Sequence, residues 1–244
     1  MQKFLIPHND INGGKAVIRG QDAKHIAKVL RMRVRDKLLF TDGNGKDYTS
    51  IIIGIYPGEI NLLIKTDSDS RFESPARITV FQGMLKDNKM DTLIRHLTEL
   101  GIHAFTPLLC ERTVPKPNKK RMDARLIRWK KISAEALKQC NRSILPEINR
   151  PVAFSDMFVT GSTFDLKIAF WENAGIPLSE LNQKSADIKN IAILIGPEGG
   201  FSKTEAELAE TQGFHLYSLG PRILRAETAS MTACSLIQHY YGDI

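Results

Sequence analysis

The chain of 244 residues is 42% hydrophobic and 25% charged, an ordinary balance for a globular protein, and it carries a formal net charge of +7. No apolar run approaches the roughly 20 residues that span a bilayer, which excludes a membrane-embedded protein. The opening "MQKFLIPHNDINGG" holds too short an apolar stretch for a secretory signal. Cys110, Cys140 and Cys234 fit no disulfide or metal framework, so we expect inert thiols in a reducing cytoplasm. The six histidines show no metal-ligand spacing, and no metal is expected.

The first 70 or so residues hold short β-rich runs, "AVIRG", "DKLLFTDGNGKDYTSIIIGIY" and "EINLLIKT", broken by turn signals at Asp42-Gly43-Asn44-Gly45 and Pro57-Gly58. They predict a small β-barrel or meander. A single helix, "QDAKHIAKVLRMR", interrupts it, with Ile26, Val29 and Leu30 expected on one face. A linker, "DSDSRFESPAR", is expected next, and the domain boundary falls between residues 72 and 73. From Arg77 onward strands and helices alternate, which predicts an α/β layer fold with a largely parallel sheet over 73–244. Met90, Leu93, Ile94, Leu97 and Leu100 mark its first helix, closed by Gly101.

The positive charge is concentrated mid-chain. Between Glu111 and Arg150 there are twelve Lys or Arg (among them Lys116, Lys119, Lys120 and Arg121) against four acids, a surplus of eight that exceeds that of the whole chain. The segment "VPKPNKKRMDARLIRWKKISAEALKQCNR" predicts a long helix whose field would draw a polyanion, a nucleic acid being the natural candidate. A solvated helix face accounts for the same pattern.

"LIGPEGGFSKTEAEL", residues 194–208, runs from a buried strand through three glycines into a helix that opens with a capping box, Ser202 and Glu205. In an open α/β sheet such a loop lies where ligands bind. It lacks both phosphate-binding glycine motifs, and Glu198 would repel a phosphate, so a neutral or cationic ligand is expected. The next strand ends in a second loop of this kind, "LGPRILRAETA", residues 219–229, and the two should border one pocket.

This pair of motifs resembles the RsmE family of small-subunit ribosomal RNA (uridine-N3) methyltransferases, of the SPOUT class. "HIAKVLRMR", "LLFTDGNGKDY" and "AEALKQCNRSILPEI" extend the likeness over most of the chain. Arg35 departs from the pattern, since the family often carries glycine there. The resemblance implies a PUA-like β-barrel followed by an α/β SPOUT domain with a C-terminal deep trefoil knot, the knot cradling S-adenosylmethionine. Ile195, Gly196, Leu219, Gly220, Ile223 and Leu224 would wall the adenine, and Gly199 and Gly200 would admit close backbone approach. Arg225 is expected to stabilise the negative charge on uracil as N3 loses its proton. Lys28, Arg31 and Arg33 would grip phosphates of 16S ribosomal RNA, with Asn141 and Arg142 near the target base. A homodimer is implied, with Met231, Cys234, Leu236, Ile237 and Tyr240 of the last helix among the buried contacts. Two other readings stay open at this level: an RNA-binding ribosome-assembly factor without catalysis, and a SPOUT enzyme acting on another nucleotide.

Overall fold

The computed structural model describes residues 3–115, 118–159, 163–181 and 187–244. Lys116 of the basic segment lies outside the described residues. The chain divides into one unit of Met1–Glu73 with Ala134–Leu145 and another of Ser74–Ser133 with Pro146–Ile244.

In the first unit six strands, β1 (Lys3–Leu5), β2 (Ile11–Asn12), β3 (Lys15–Arg19), β4 (Lys37–Thr41), β5 (Lys46–Tyr56) and β6 (Glu59–Asp69), form one sheet in the order β1-β4-β5-β6-β3-β2. β1 joins β4 in parallel and every other pairing is antiparallel. Burial alternates along β5, as a strand with one face on a core requires. Phe40 stacks on Tyr48 at 4.7 Å between ring centroids, over buried Phe4, Ile52 and Leu62. Asp42 Oδ1 accepts from the N–H groups of Asn44 (2.8 Å) and Lys46 (3.3 Å), and Gly43 and Gly45 supply the positive φ the turn needs. The expected linker starts too early, because β6 continues to Asp69.

The interrupting helix also departs from expectation. α1 (Gly20–Lys24) passes into a π-turn over His25–Val29, where Leu30 N–H reaches back five residues to His25 O at 3.0 Å. The wider turn rotates the later side chains off the expected face. Ile26 is fully buried, whereas Val29 is 66% and Leu30 39% exposed. Arg35 has φ +80 and Arg31 φ +51, a region that favours glycine and costs an L-residue about 1 kcal/mol or more. Arg35 therefore occupies a glycine conformation, held there by its N–H bond to Ile52 O at 2.8 Å.

The segment after residue 140 is sewn into this unit. Glu73 accepts from the Arg142 guanidinium (2.8 and 3.0 Å) and from Ser143 and Ile144 N–H (2.5 and 2.9 Å). Lys3 Nζ donates to Asn141 O at 2.6 Å and to Asp47 at 2.9 Å.

In the second unit β7 (Arg77–Gly83), β8 (Ala104–Leu109), β9 (Glu147–Ile148), β10 (Val152–Ala153), β11 (Leu166–Phe170), β12 (Asn190–Ile195) and β13 (His215–Tyr217) build a wholly parallel sheet, ordered β10-β8-β7-β12-β11-β13 with β9 on β8. Helices α2 (Lys89–Glu99), α3 (Lys119–Cys140), α4 (Lys203–Thr211) and α5 (Ala226–Tyr241) alternate with the strands, α3 from Ala134 onward counting with the first unit. Ile191 to Ile195 of β12 are at most 2% exposed, as a strand covered on both faces demands. α2 buries Met90, Leu93, Ile94 and Leu97, and Gly101 follows at φ +81. Met122, Leu126, Trp129 and Ser133 form the buried stripe of α3, four residues on one face that leave its cations outward. Among the described residues no helix is long and apolar enough to cross a membrane.

Candidate cofactor cavity

The sheet reverses direction of growth beside β7, since the chain moves outward through β8 to β10 and then returns to the other side at β11 and β12. Ligands in open parallel sheets collect at the carboxyl ends of strands near such a reversal. Here the loops leaving the adjacent strands β12, β11 and β13 enclose a cavity of about 570 Å³.

From the β12 loop, Ile195, Gly196, Gly199 and Gly200 line it; from the β13 loop, Leu219, Gly220, Ile223 and Leu224 do. The third wall, Phe170 to Pro177 after β11, was not anticipated from sequence. Its signal was available in "FWENAGIP", a strand end with an acid, a glycine and a proline in quick succession. Trp171 of this wall buries its indole Nε1, which has no hydrogen-bond partner among the described residues.

Side chains at the glycines of the β12 loop would be tight. A Cβ at Gly196 would lie 3.1 Å from Gly200 C and Phe201 N, and one at Gly199 would lie 3.1 Å from Arg112 Cβ. Gly200 has φ +68 and faces the Glu172 carboxylate. Gly220 differs, with φ +108 but open space around a notional Cβ, so its backbone shape and not crowding requires glycine.

Three anchors fix this loop. Buried Gln82, at the end of β7, donates to Gly196 O at 2.9 Å and accepts from Ser230 Oγ of α5. Arg112 donates to Gly199 O (3.0 Å) and Phe201 O (3.3 Å). The capping box closes the start of α4: Glu205 N–H reaches Ser202 Oγ at 3.2 Å and Ser202 N–H reaches Glu205 Oε2 at 3.0 Å. Glu205 Oε1 also accepts from Glu111 N–H at 2.8 Å.

Glu198 lines the cavity as an anion. Partial burial pushes its carboxyl upward, but the Lys86 N–H (3.0 Å) and the Lys89 ammonium (3.1 Å) outweigh that and hold it below the usual carboxylate range. Lys89 also pairs with Glu227 of α5 at 3.7 Å. The two acids are thus engaged by Lys89, and Arg225, the exposed N-cap of α5, has no ion-pair partner among the described residues. Arg225 is not among the cavity-lining residues, whereas Arg222 is.

The residues expected at RNA divide. Lys28, Arg31 and Arg33 are exposed on the first unit, as is the Asn141 side chain at φ +65. Arg142 is 4% exposed and clamped by Glu73, so the expectation that it reaches the target base is corrected to a structural brace. In the basic segment Arg128, Lys138, Arg142 and Arg150 are consumed by ion pairs. Lys119, Lys120 and Arg121 remain exposed without ion-pair partners among the described residues.

The model of the RNA methyltransferase domain matches residues 72–238, and that of the RNA methyltransferase PUA domain matches residues 18–65. Ribosomal RNA small subunit methyltransferase E of Buchnera aphidicola (from Schizaphis graminum) is 34% identical over 226 residues, covering 90% of this chain and 88% of its own. The Bacillus subtilis protein of the same name is 29% identical over 228 residues, covering 91% and 89%. The crystal structure of ribosomal RNA small subunit methyltransferase E from Neisseria gonorrhoeae, bound to S-adenosyl methionine, superposes with a TM-score of 0.89 at 28% identity and covers 100% of this chain and 99% of that one.

Proposed function

Because the chain belongs to the ribosomal RNA small subunit methyltransferase E family, we propose that its cavity binds S-adenosylmethionine and that the enzyme methylates N3 of a uridine in small-subunit (16S) ribosomal RNA. The observation that carries this reading is the cavity itself, built at three adjacent strand ends by "GPEGGF", "FWENAGIP" and "LGPRIL".

The residues present suit this cofactor. Leu219, Ile223 and Leu224 offer apolar faces for a purine, and the glycine backbone at 199 and 200 allows close approach. The orphaned Trp171 N–H is a donor in want of an acceptor. Glu198, kept ionised, provides a negative field that suits a sulfonium cation and repels a phosphate. When bound, the cofactor supplies an activated methyl group. The protein's remaining work is alignment and charge stabilisation.

Uracil N3 carries a proton at neutral pH, so the proton must leave and the negative charge be stabilised before N3 accepts the methyl group. Arg225 directly follows the cavity-lining Leu224 in the chain, and its guanidinium forms no ion pair with Glu198 or Glu227, both of which Lys89 holds. A cation at a helix N-terminus gains nothing from the helix dipole, which favours a role toward an incoming anion. Exposed Lys28, Arg31, Arg33 and the outer face of α3 are the surfaces for phosphate.

We further infer a deep trefoil knot in the C-terminal segment. Support comes from the chain path: Ser218 pairs with 176–178 (Ser218 N–H to Ile176 O, 2.8 Å), and the following residues round the cavity before α5 packs on α2 and β12. A homodimer also belongs to this reading. Cys234 and Ile237 are fully buried within the unit's own core, so they are removed from the expected dimer contacts. Met231, Leu236 and Tyr240 stay half-exposed and available.

Titration calorimetry with S-adenosylmethionine and no added metal tests the cofactor assignment. Binding is expected for the wild type and its loss for Gly199→Val, whose side chain meets Arg112. Equal affinity in the two proteins would place the cofactor elsewhere.

A further inference from the structure

The turn between α1 and β4 combines features that its role as a connection does not require. Val29, Leu30 and Val34 are 66%, 39% and 51% exposed, three apolar side chains close together in the chain on the first unit. Lys24, Lys28, Arg31, Arg33, Arg35 and Lys37 flank them in the chain, all exposed and none in an ion pair among the described residues. The single acid among residues 24–37, Asp36, has its carboxylate engaged by Arg33 N–H at 2.7 Å. Exposed apolar side chains grouped among unpaired cations make a candidate contact surface.

The backbone here is also held, not loose. Met32 N–H bonds Ile26 O (3.1 Å), Arg35 N–H bonds Ile52 O (2.8 Å), and Ile52 N–H bonds Asp36 O (3.0 Å). These bonds impose left-handed backbone on two arginines and a π-turn on the helix, and such departures gather at binding sites. Ile26 stays in the core, so the same turn that rotates Val29 outward leaves the core of the first unit packed. The surface is therefore preformed, and ordering it costs a ligand little.

We infer that Val29, Leu30 and Val34 form a wedge that takes the unstacked bases of a single-stranded RNA segment, while the surrounding cations hold its phosphates. This rests on the RNA-methylating reading above and deepens it. A duplex presents its phosphates outward and its bases hidden, so it matches the cations alone. An unpaired strand presents anionic backbone and apolar base faces together, which is the pattern of this surface.

Fluorescence anisotropy of the full chain with a labelled single-stranded RNA, and with the same strand in a duplex, tests this. The exposed triple variant Val29→Ser, Leu30→Ser, Val34→Ser should lose about tenfold in affinity for the single strand and keep its affinity for the duplex. The slope of log affinity against log salt should stay as in wild type, because the cations remain. Arg31→Gln with Arg33→Gln should flatten that slope on both RNAs. Unchanged single-strand affinity in the serine variant overturns the proposal, as does an equal loss on the duplex. So does weaker binding to intact small subunits with unaltered binding to the single strand, which would assign the surface to a protein partner. Calorimetry with S-adenosylmethionine separates this from the cofactor reading: a wild type that fails to bind it defeats that reading and leaves the RNA comparison standing.

Discussion

Arg225 is the side chain on which binding and chemistry should come apart. It is exposed, it is the N-cap of α5 without a side-chain cap bond, and it forms no ion pair with Glu198 or Glu227, which Lys89 engages. Arg225→Ala is expected to leave cofactor affinity nearly intact and to lower the single-turnover rate about 10² to 10³-fold, the usual loss for one electrostatic donor in a transition state. Arg225→Lys should recover only part, since an ammonium lacks the planar fork. Weaker cofactor binding with an unchanged saturated rate would make Arg225 a loop brace. At this scale glycine and arginine were legible to different degrees. The glycines at 196, 199 and 200 stand together at the end of one strand and Gly220 at the end of the next, so both loops are legible. Arg142 misled, because a cation in a basic tract looks the same in sequence whether it faces solvent or is folded onto an acid 69 residues away.

Elements were readable where periodicity was strong. α2, β12 and α4 follow directly from their apolar spacing and caps, while the two-residue strands β9 and β10 carry no period at all. The π-turn at His25–Val29 was hidden for a physical reason: apolar spacing in sequence assumes an α-helical rotation, and a five-residue turn changes it. The β11 wall was missed because the likeness of the two glycine loops pointed only at β12 and β13. In α3 the buried stripe of Met122, Leu126 and Trp129 fixes which cations face outward. Replacing Lys119, Lys120 and Arg121 together by Gln should reduce the salt dependence of RNA binding, by a slope of up to about three. An unaltered slope would return this face to plain solvation.

At the scale of the whole molecule, sequence composition separated a β-rich first part from an α/β remainder, but it could not show that Ala134–Leu145 returns to the first unit. That return depends on Glu73 meeting Ser143 and Ile144 N–H groups, a long-range pairing without local signature. With Cys234 and Ile237 inside the core, the dimer proposed above would draw on the half-exposed Met231, Leu236 and Tyr240 of α5. Light scattering at micromolar concentration should give twice the 27.4 kDa chain mass, and Leu236→Glu should halve it. A wild-type monomer would remove the dimer from this account. The measurement that bears most directly on the central claim is the identity of the methylated nucleoside. Small subunits and their naked RNA, incubated with methyl-labelled S-adenosylmethionine and the enzyme, should yield label in 3-methyluridine by mass spectrometry of the digested RNA, and Arg225→Ala should suppress it. Label in any other nucleoside, or in none, would contradict the account.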